Sequence, residues 1–118
     1  MENVFEISLL LDFYGQLLTT RQYEILDLHY NNDYSLGEIA EEFEISRQGV
    51  YDNVKRGKET LNRLESKLGL VGKFSQQKVI AGEIIRLLQS MEQMDLNKVQ
   101  LSTVEDIRKM VCSMITII

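Results

Sequence analysis

The stretch Ser35-Leu-Gly-Glu-Ile-Ala-Glu-Glu-Phe-Glu-Ile-Ser-Arg-Gln-Gly-Val-Tyr51 limits what this chain can fold into more than any other. It reads as two short helical segments joined by a tight turn. Ser35 opens the first segment and Glu38 follows three residues later. That pair is a capping box, in which each side chain satisfies an orphan backbone donor of the other residue. Ile39, Ala40 and Phe43 then line one face, and Ala40 is small enough to let a second helix cross close by. Ser46 caps the second segment, Ile45 supplies an apolar residue in the turn, and Val50 and Val54 point inward. Together these features predict a helix-turn-helix, the motif that places its second helix in a DNA major groove.

The rest of the chain carries helical patterns. There is no proline and there are only 7 glycines in 118 residues, so turn punctuation is sparse. That length can bury a real core without metals or disulfides. Phe5, Leu9, Phe13 and Leu17, widened by Leu10, Leu11 and Tyr14, predict a first helix over residues 3–17. Thr19 caps a second helix with Gln22 in the reciprocal position, and Ile25, Leu26, Leu28 and Tyr30 supply its apolar residues. Asn31 to Asp33 forms a turn, and the third helix covers about 36–43. Glu44 then occupies a turn position at which glycine is often found.

A long fourth helix starts after Ser46 and carries a heptad-like seam at Val50, Val54, Gly57, Leu61, Leu64 and Leu68. Gly69 and Gly72 mark its end. A fifth helix spans roughly 74–94, with Ile80, Ile84, Leu87, Leu88 and Met91 on its apolar face. After a connector over 95–100, Ser102 and Glu105 form a further capping box. Val104, Ile107, Val111, Met114 and Ile118 make the stripe of a sixth helix, flanked by Met110 and Ile115. The expected fold class is all-α: a helix-turn-helix domain over 1–70, then a helical extension over 71–118 used for packing or dimerisation.

The formal net charge is −5, which is unusual for a nucleic-acid binder. Its distribution matters more than its total. Residues 34–45 hold Glu38, Glu41, Glu42 and Glu44 and no base. Residues 46–68 hold Arg47, Lys55, Arg56, Lys58, Arg63 and Lys67 against Asp52, Glu59 and Glu65, a net of +3. The reading helix is basic and the helix before it acidic. Few phosphates can be neutralised at once, so DNA binding is expected to be weak and salt-sensitive.

Two blocks carry a family resemblance: Leu18-Thr-Thr-Arg-Gln-Tyr-Glu-Ile-Leu-Asp-Leu-His-Tyr30, and Tyr34 through Val54. They resemble region 4 of bacterial sigma factors, which contacts the −35 promoter element. With Leu11-Asp-Phe-Tyr14 and the junction Lys67-Leu-Gly-Leu-Val-Gly-Lys-Phe74, the chain is similar to the YlxM family over about residues 8–90. These are small bacterial proteins encoded beside the signal recognition particle genes. The resemblance implies a sigma-like helical domain and a regulatory role in the signal recognition particle pathway.

On the predicted reading helix, inward Val50, Val54 and Gly57 fix an outward face. The candidate DNA-binding residues are Ser46, Arg47, Gln48, Tyr51, Asp52, Lys55, Arg56 and Lys58. Arg47 matches guanine and Gln48 adenine in two-point hydrogen bonding. Tyr51 suits a thymine methyl or a phosphate, and Lys55, Arg56 and Lys58 suit the backbone. By the sigma resemblance, Arg47 and Gln48 fall at the tip of the reading helix. Asp52 is discordant. It either accepts from cytosine or repels phosphate and marks a protein-binding surface. The plain alternative for the whole face is a solvated helix surface of mixed charge.

Little else suggests chemistry. His29 lacks Cys, His or carboxylate partners at metal-ligand spacing and reads as a surface or packing residue. Cys112, in an apolar run, reads as a small buried hydrophobe, and a lone cysteine fits a reducing cytoplasm. Gly37 and Gly49 match no nucleotide motif. No cofactor, metal site or enzymatic activity is expected. Met1-Glu2 does not open a signal peptide, and no apolar run reaches the roughly 20 residues of a membrane span. The apolar stripes of the last two helices, Ile84 and Leu88 among them, predict a homodimer. The competing function is a protein- or RNA-binding accessory factor acting on signal recognition particle components, which the acidic total favours.

Overall fold

The computed structural model describes residues 4–116. They form six α-helices: α1 (Val4–Tyr14), α2 (Thr20–Asn31), α3 (Leu36–Phe43), α4 (Arg47–Leu68), α5 (Leu70–Met91) and α6 (Lys98–Met114). A 3-10 turn at Gly15–Leu17 follows α1, and no strand occurs among the described residues. The fold is all-α, as the sequence predicts. The chain divides into two compact units, Met1–Val71 and Gly72–Ile118.

In the first unit the caps form as read. Thr19 Oγ1 accepts from Gln22 N at 3.1 Å and Gln22 Oε1 accepts from Thr19 N at 3.3 Å. Ser35 Oγ accepts from Glu38 N and Glu38 Oε1 accepts from Ser35 N, both at 3.0 Å. Glu44 closes α3 in the left-handed region, φ 55°, the position that favours glycine. Gly69, at φ 63°, closes α4 in the same way. α4 crosses α1, α2 and α3 and gathers the core on Val50, Val54, Gly57 and Leu61. Gly57 permits the closest approach, because a Cβ there would lie 2.6 Å from Leu26 Cδ1.

The first helix differs from its expected phase. Phe5 is 69% and Leu17 63% exposed, while Ile7, Leu10, Leu11, Tyr14 and Leu18 are buried. Four-residue steps drift by about 40° each around a helix of 3.6 residues per turn, so positions 5, 9, 13 and 17 cannot share one buried line. The helix also stops at Tyr14, and the 3-10 turn rotates Leu17 outward.

α5 begins at Leu70, before the expected start, and Gly72 lies inside it. The cause is a cap assembled from distant residues. Tyr14 Oη donates to Glu65 Oε1 at 2.5 Å and accepts from Leu70 N at 3.1 Å, and Glu65 Oε1 accepts from Val71 N at 3.0 Å. Burial pushes the Tyr14 phenol above its ordinary range, and the Glu65 carboxylate reinforces the shift.

In the second unit, Ala81, Leu88 and Val104 are the buried apolar residues. α6 starts after Asn97, not Ser102. Asn97 Oδ1 accepts from Gln100 N at 2.8 Å and Gln100 Oε1 accepts from Asn97 N at 3.0 Å, so Ser102 sits inside the helix. An asparagine cap with glutamine at the third position satisfies the same orphan donors as the expected serine–glutamate pair. Arg108 and Glu92 form an ion pair. Cys112 is exposed, not buried, because only Val104 of α6 is fully enclosed. Ile118, expected in the α6 stripe, lies outside the described residues. No helix among the described residues is long and apolar enough to cross a membrane.

Candidate nucleic-acid interface

The helix-turn-helix consists of α3, the turn at Glu44–Ser46 and the start of α4. The turn is pinned by Ile45 N donating to Ala40 O at 3.1 Å. Ser46 caps α4, its Oγ accepting from Gly49 N at 3.0 Å. Val50 and Ile39 are wholly buried, and Ala40 lies beside them in the core, so the inward register of α4 is fixed. Arg21 lies over the Phe43 ring at 4.9 Å and ties α2 to the end of α3.

This register turns the candidate residues outward. Arg47, Gln48, Tyr51, Lys55 and Arg56 are exposed, and Asp52 and Lys58 are half-buried. At 1.5 Å per residue, positions 47 to 58 extend over about 16 Å of helix. Ser46 is at the tip, but its hydroxyl oxygen is occupied by the cap. The first turn of α4 has no acidic side chain, so its own residues do not neutralise the positive end of the helix dipole.

Two arrangements were missed in the sequence reading. Gln48 Nε2 donates to Asp52 Oδ1 at 3.1 Å, so the discordant acid orients the glutamine one turn away. The Arg47 guanidinium lies over Gly37 of α3. A Cβ on Gly37 would stand 3.1 Å from Nη2 and 3.2 Å from Nε. Arg47 thus borders an open concavity with Ser35, Glu38 and Glu41. The i,i+4 spacing of Gln48 and Asp52 was a readable signal. The seat on Gly37 had none, because it joins two helices across the turn.

The acidic wall of α3 stands beside this face. Glu38 is held by its cap: the Ser35 backbone N–H and then the Ser35 hydroxyl keep its carboxyl below the usual carboxylate range. His29 serves packing. Its Nδ1 donates to the Tyr34 carbonyl oxygen at 2.8 Å, and its ring meets Tyr30 edge-on at 4.9 Å. No group of three or more His, Cys, Asp or Glu side chains placed to hold a metal occurs among the described residues.

Comparison with known proteins agrees with this geometry. The family model described as "UPF0122: Putative helix-turn-helix protein, YlxM / p13 like" matches residues 1–103. A UPF0122 protein of Acetivibrio thermocellus is 66% identical over 92 residues, 78% of this chain and 79% of its own. One from Desulforamulus reducens is 49% identical over 92 residues, with the same coverage of 78% and 79%. One from Listeria welshimeri is 49% identical over 83 residues, 70% of this chain and 76% of its own.

Proposed function

The chain belongs to the UPF0122 family of YlxM/p13-like helix-turn-helix proteins, and from that premise we infer that it is a DNA-binding regulator without enzymatic activity. The observation that carries this reading is the outward face of α4. Five candidate residues are exposed there, three of them cationic, and the core holds the helix in that register. Lys55 and Arg56 engage phosphates, with Lys58 at the edge of the same face. Gln48 and Arg47 read base edges, and Tyr51 packs beside them. Ser46 shapes the tip. Binding is weak and salt-sensitive, because the face offers few cations and three glutamates of α3, with Glu44 in the turn, stand beside it. A reducing cytoplasm suits the single exposed Cys112. The pathway regulated, by the family resemblance, is that of the signal recognition particle.

The test is a selection from genomic DNA followed by titration of the enriched site. Arg47→Ala and Gln48→Ala abolish sequence preference and leave the fold intact. Lys55→Ala weakens all sequences equally and lowers the salt slope by about 1. Unchanged footprints for the Arg47 and Gln48 variants refute the assignment.

A second reading has its own support. The net charge of −5, the glutamates of α3 and Asp52 on the α4 face favour a protein partner in the signal recognition particle over either nucleic acid, whose phosphates those carboxylates repel. Capture of the particle's protein by the full chain, with no DNA enriched in the parallel selection, selects this alternative.

A further inference from the structure

A glutamine amide has two faces that differ in hydrogen-bonding sense. Its oxygen accepts and its NH2 donates, and half a turn about the last side-chain bond exchanges them. On an otherwise empty helix face Gln48 would present either one. Asp52, one turn along α4, removes that freedom. A carboxylate only accepts, so the NH2 of Gln48 must be the group that faces it, as Nε2 does at 3.1 Å from Oδ1. The flipped amide would set Oε1 against Oδ1, two acceptors with no proton between them. Asp52 is half-buried and Gln48 exposed, so the carboxylate is the more enclosed end of the pair and the amide is the end open to a ligand. Val50 and Val54, both buried in the core, keep the two residues on the outward side of α4.

We propose, as an extension that rests on the DNA-binding reading, that Asp52 is a positioning residue: it holds the Gln48 amide in one sense, so that Gln48 selects a base carrying an exocyclic amino group. With one N–H spent on Asp52, Gln48 still has Oε1 and a second N–H. In the major groove adenine offers the N6 amino group and the N7 acceptor, which match that oxygen and that N–H. Cytosine offers its N4 amino group alone, for a single bond to Oε1. Guanine O6 and thymine O4 are acceptors and confront Oε1. To serve either of them the amide would have to turn over, break its bond to Asp52 and leave a half-buried carboxylate unpaired beside the duplex. Arg47, the adjoining residue, offers donors only and so has the opposite preference, for the acceptors of guanine. The discordant acid thereby acquires a role that does not require it to touch DNA.

The test uses the full chain. Duplexes are selected from a randomised pool, and each position of the enriched site is then varied in anisotropy titrations. The position that Gln48→Ala makes indifferent is the one Gln48 faces. There the unaltered chain prefers adenine, then cytosine, and binds guanine or thymine about tenfold more weakly than adenine. Asp52→Ala reduces that preference to within about twofold, while affinity for all sequences holds or rises because a negative charge leaves the face. Asp52→Glu, whose carboxylate approaches the same amide from one methylene further, keeps the preference. In a Gln48→Ala background, Asp52→Ala alters no base preference, which separates positioning from direct reading. In the free chain, one Gln48 Nε2 proton resonates downfield of its free-glutamine position in NMR spectra and returns there in Asp52→Ala, with circular dichroism unchanged. Preference for guanine or thymine at the Gln48 position, loss of preference in Asp52→Glu, or an Asp52→Ala variant that keeps its preference or its amide shift overturns the proposal and leaves the DNA-binding reading standing. So does a change of base preference in the double variant. Failure of every form of the chain to enrich any duplex overturns both.

Discussion

Replacing Gly57 with alanine should destabilise the first unit, although alanine is the better helix former. In an open helix interior the exchange gains about 1 kcal/mol. At position 57 the added methyl meets Leu26 Cδ1 at 2.6 Å and Cγ at 3.4 Å. Leu26 is wholly buried, so its terminus has nowhere to retreat without displacing core neighbours. Overpacking of this kind costs about 1–3 kcal/mol, which leaves a net loss of about 0–2 kcal/mol. Gly82 is the internal control. It lies in α5 with nothing within 4 Å of its notional Cβ, so Gly82→Ala should stabilise by about 0.5–1 kcal/mol. Because the chain has two units, stability is best read amide by amide from native-state hydrogen exchange. The slowest α4 amides should exchange faster in Gly57→Ala, and those of α5 more slowly in Gly82→Ala. On the DNA-binding reading the consequence extends to α4, whose register against α2 sets which way Gln48 and Lys55 face. If Gly57→Ala slows exchange in α4, the close crossing of α2 and α4 is not what this glycine serves, and the argument fails.

Tyr14→Phe removes the hydroxyl that links Glu65 to the start of α5 and should cost about 1–3 kcal/mol in denaturant titration, with faster exchange at Leu70 and Val71. Tyr14 and Tyr30 both have raised phenol pKa values, chiefly through burial, so the stability they contribute is whole below the ordinary tyrosine value of 10.0 and is lost as pH rises through the raised folded values. A base titration of Tyr14→Phe should show a shallower loss, and an unchanged slope refutes the coupling. Glu38 has the opposite sign: its lowered carboxyl pKa gives stability present above the ordinary carboxylate value and lost as pH falls through the lowered one, so α3 amides should lose protection first in acid, and less steeply in Glu38→Gln. Asp52→Asn keeps an oxygen to accept from Gln48 while removing one negative charge from the α4 face. At about 6 Å from a phosphate in water that charge is worth roughly 0.7 kcal/mol, so DNA affinity measured by anisotropy should rise about threefold for all sequences, and a fall refutes the DNA reading.

The legible parts of the fold were those whose cause is local. Ser35 with Glu38, Thr19 with Gln22 and Ser46 before Arg47 set helix starts within four residues, and the helices begin where these pairs place them. Asn97 with Gln100 is equally local, but both lie in the stretch read as a connector, and the start was assigned to Ser102 and Glu105 five residues on. The start of α5 was illegible for a different reason. Its cap comes from Tyr14 and Glu65, which reach Leu70 and Val71 across the fold. The phase of α1 was obscured because nearly every residue from Ile7 to Leu11 is apolar, so the buried line had to be selected by α2 and α4. At the candidate site the outward face followed from Val50, Val54 and Gly57. The resting place of Arg47 on Gly37 depends on the angle between α3 and α4, which no spacing encodes.

An acidic chain with a small cationic face raises the question of how binding could become strong enough to regulate anything. If one α4 neutralises about three phosphates, the salt slope is about −2.7, close to non-specific affinity at physiological ionic strength. Adding cations to α4 would strengthen this term for every sequence alike and would draw on the glutamates of α3 as competitors. On the DNA-binding reading, the two kinds of variant therefore separate: loss of Gln48 changes preference among sequences at an unchanged salt slope, whereas loss of Lys55 lowers the common term and flattens that slope, and equal slopes for both variants refute the division of roles.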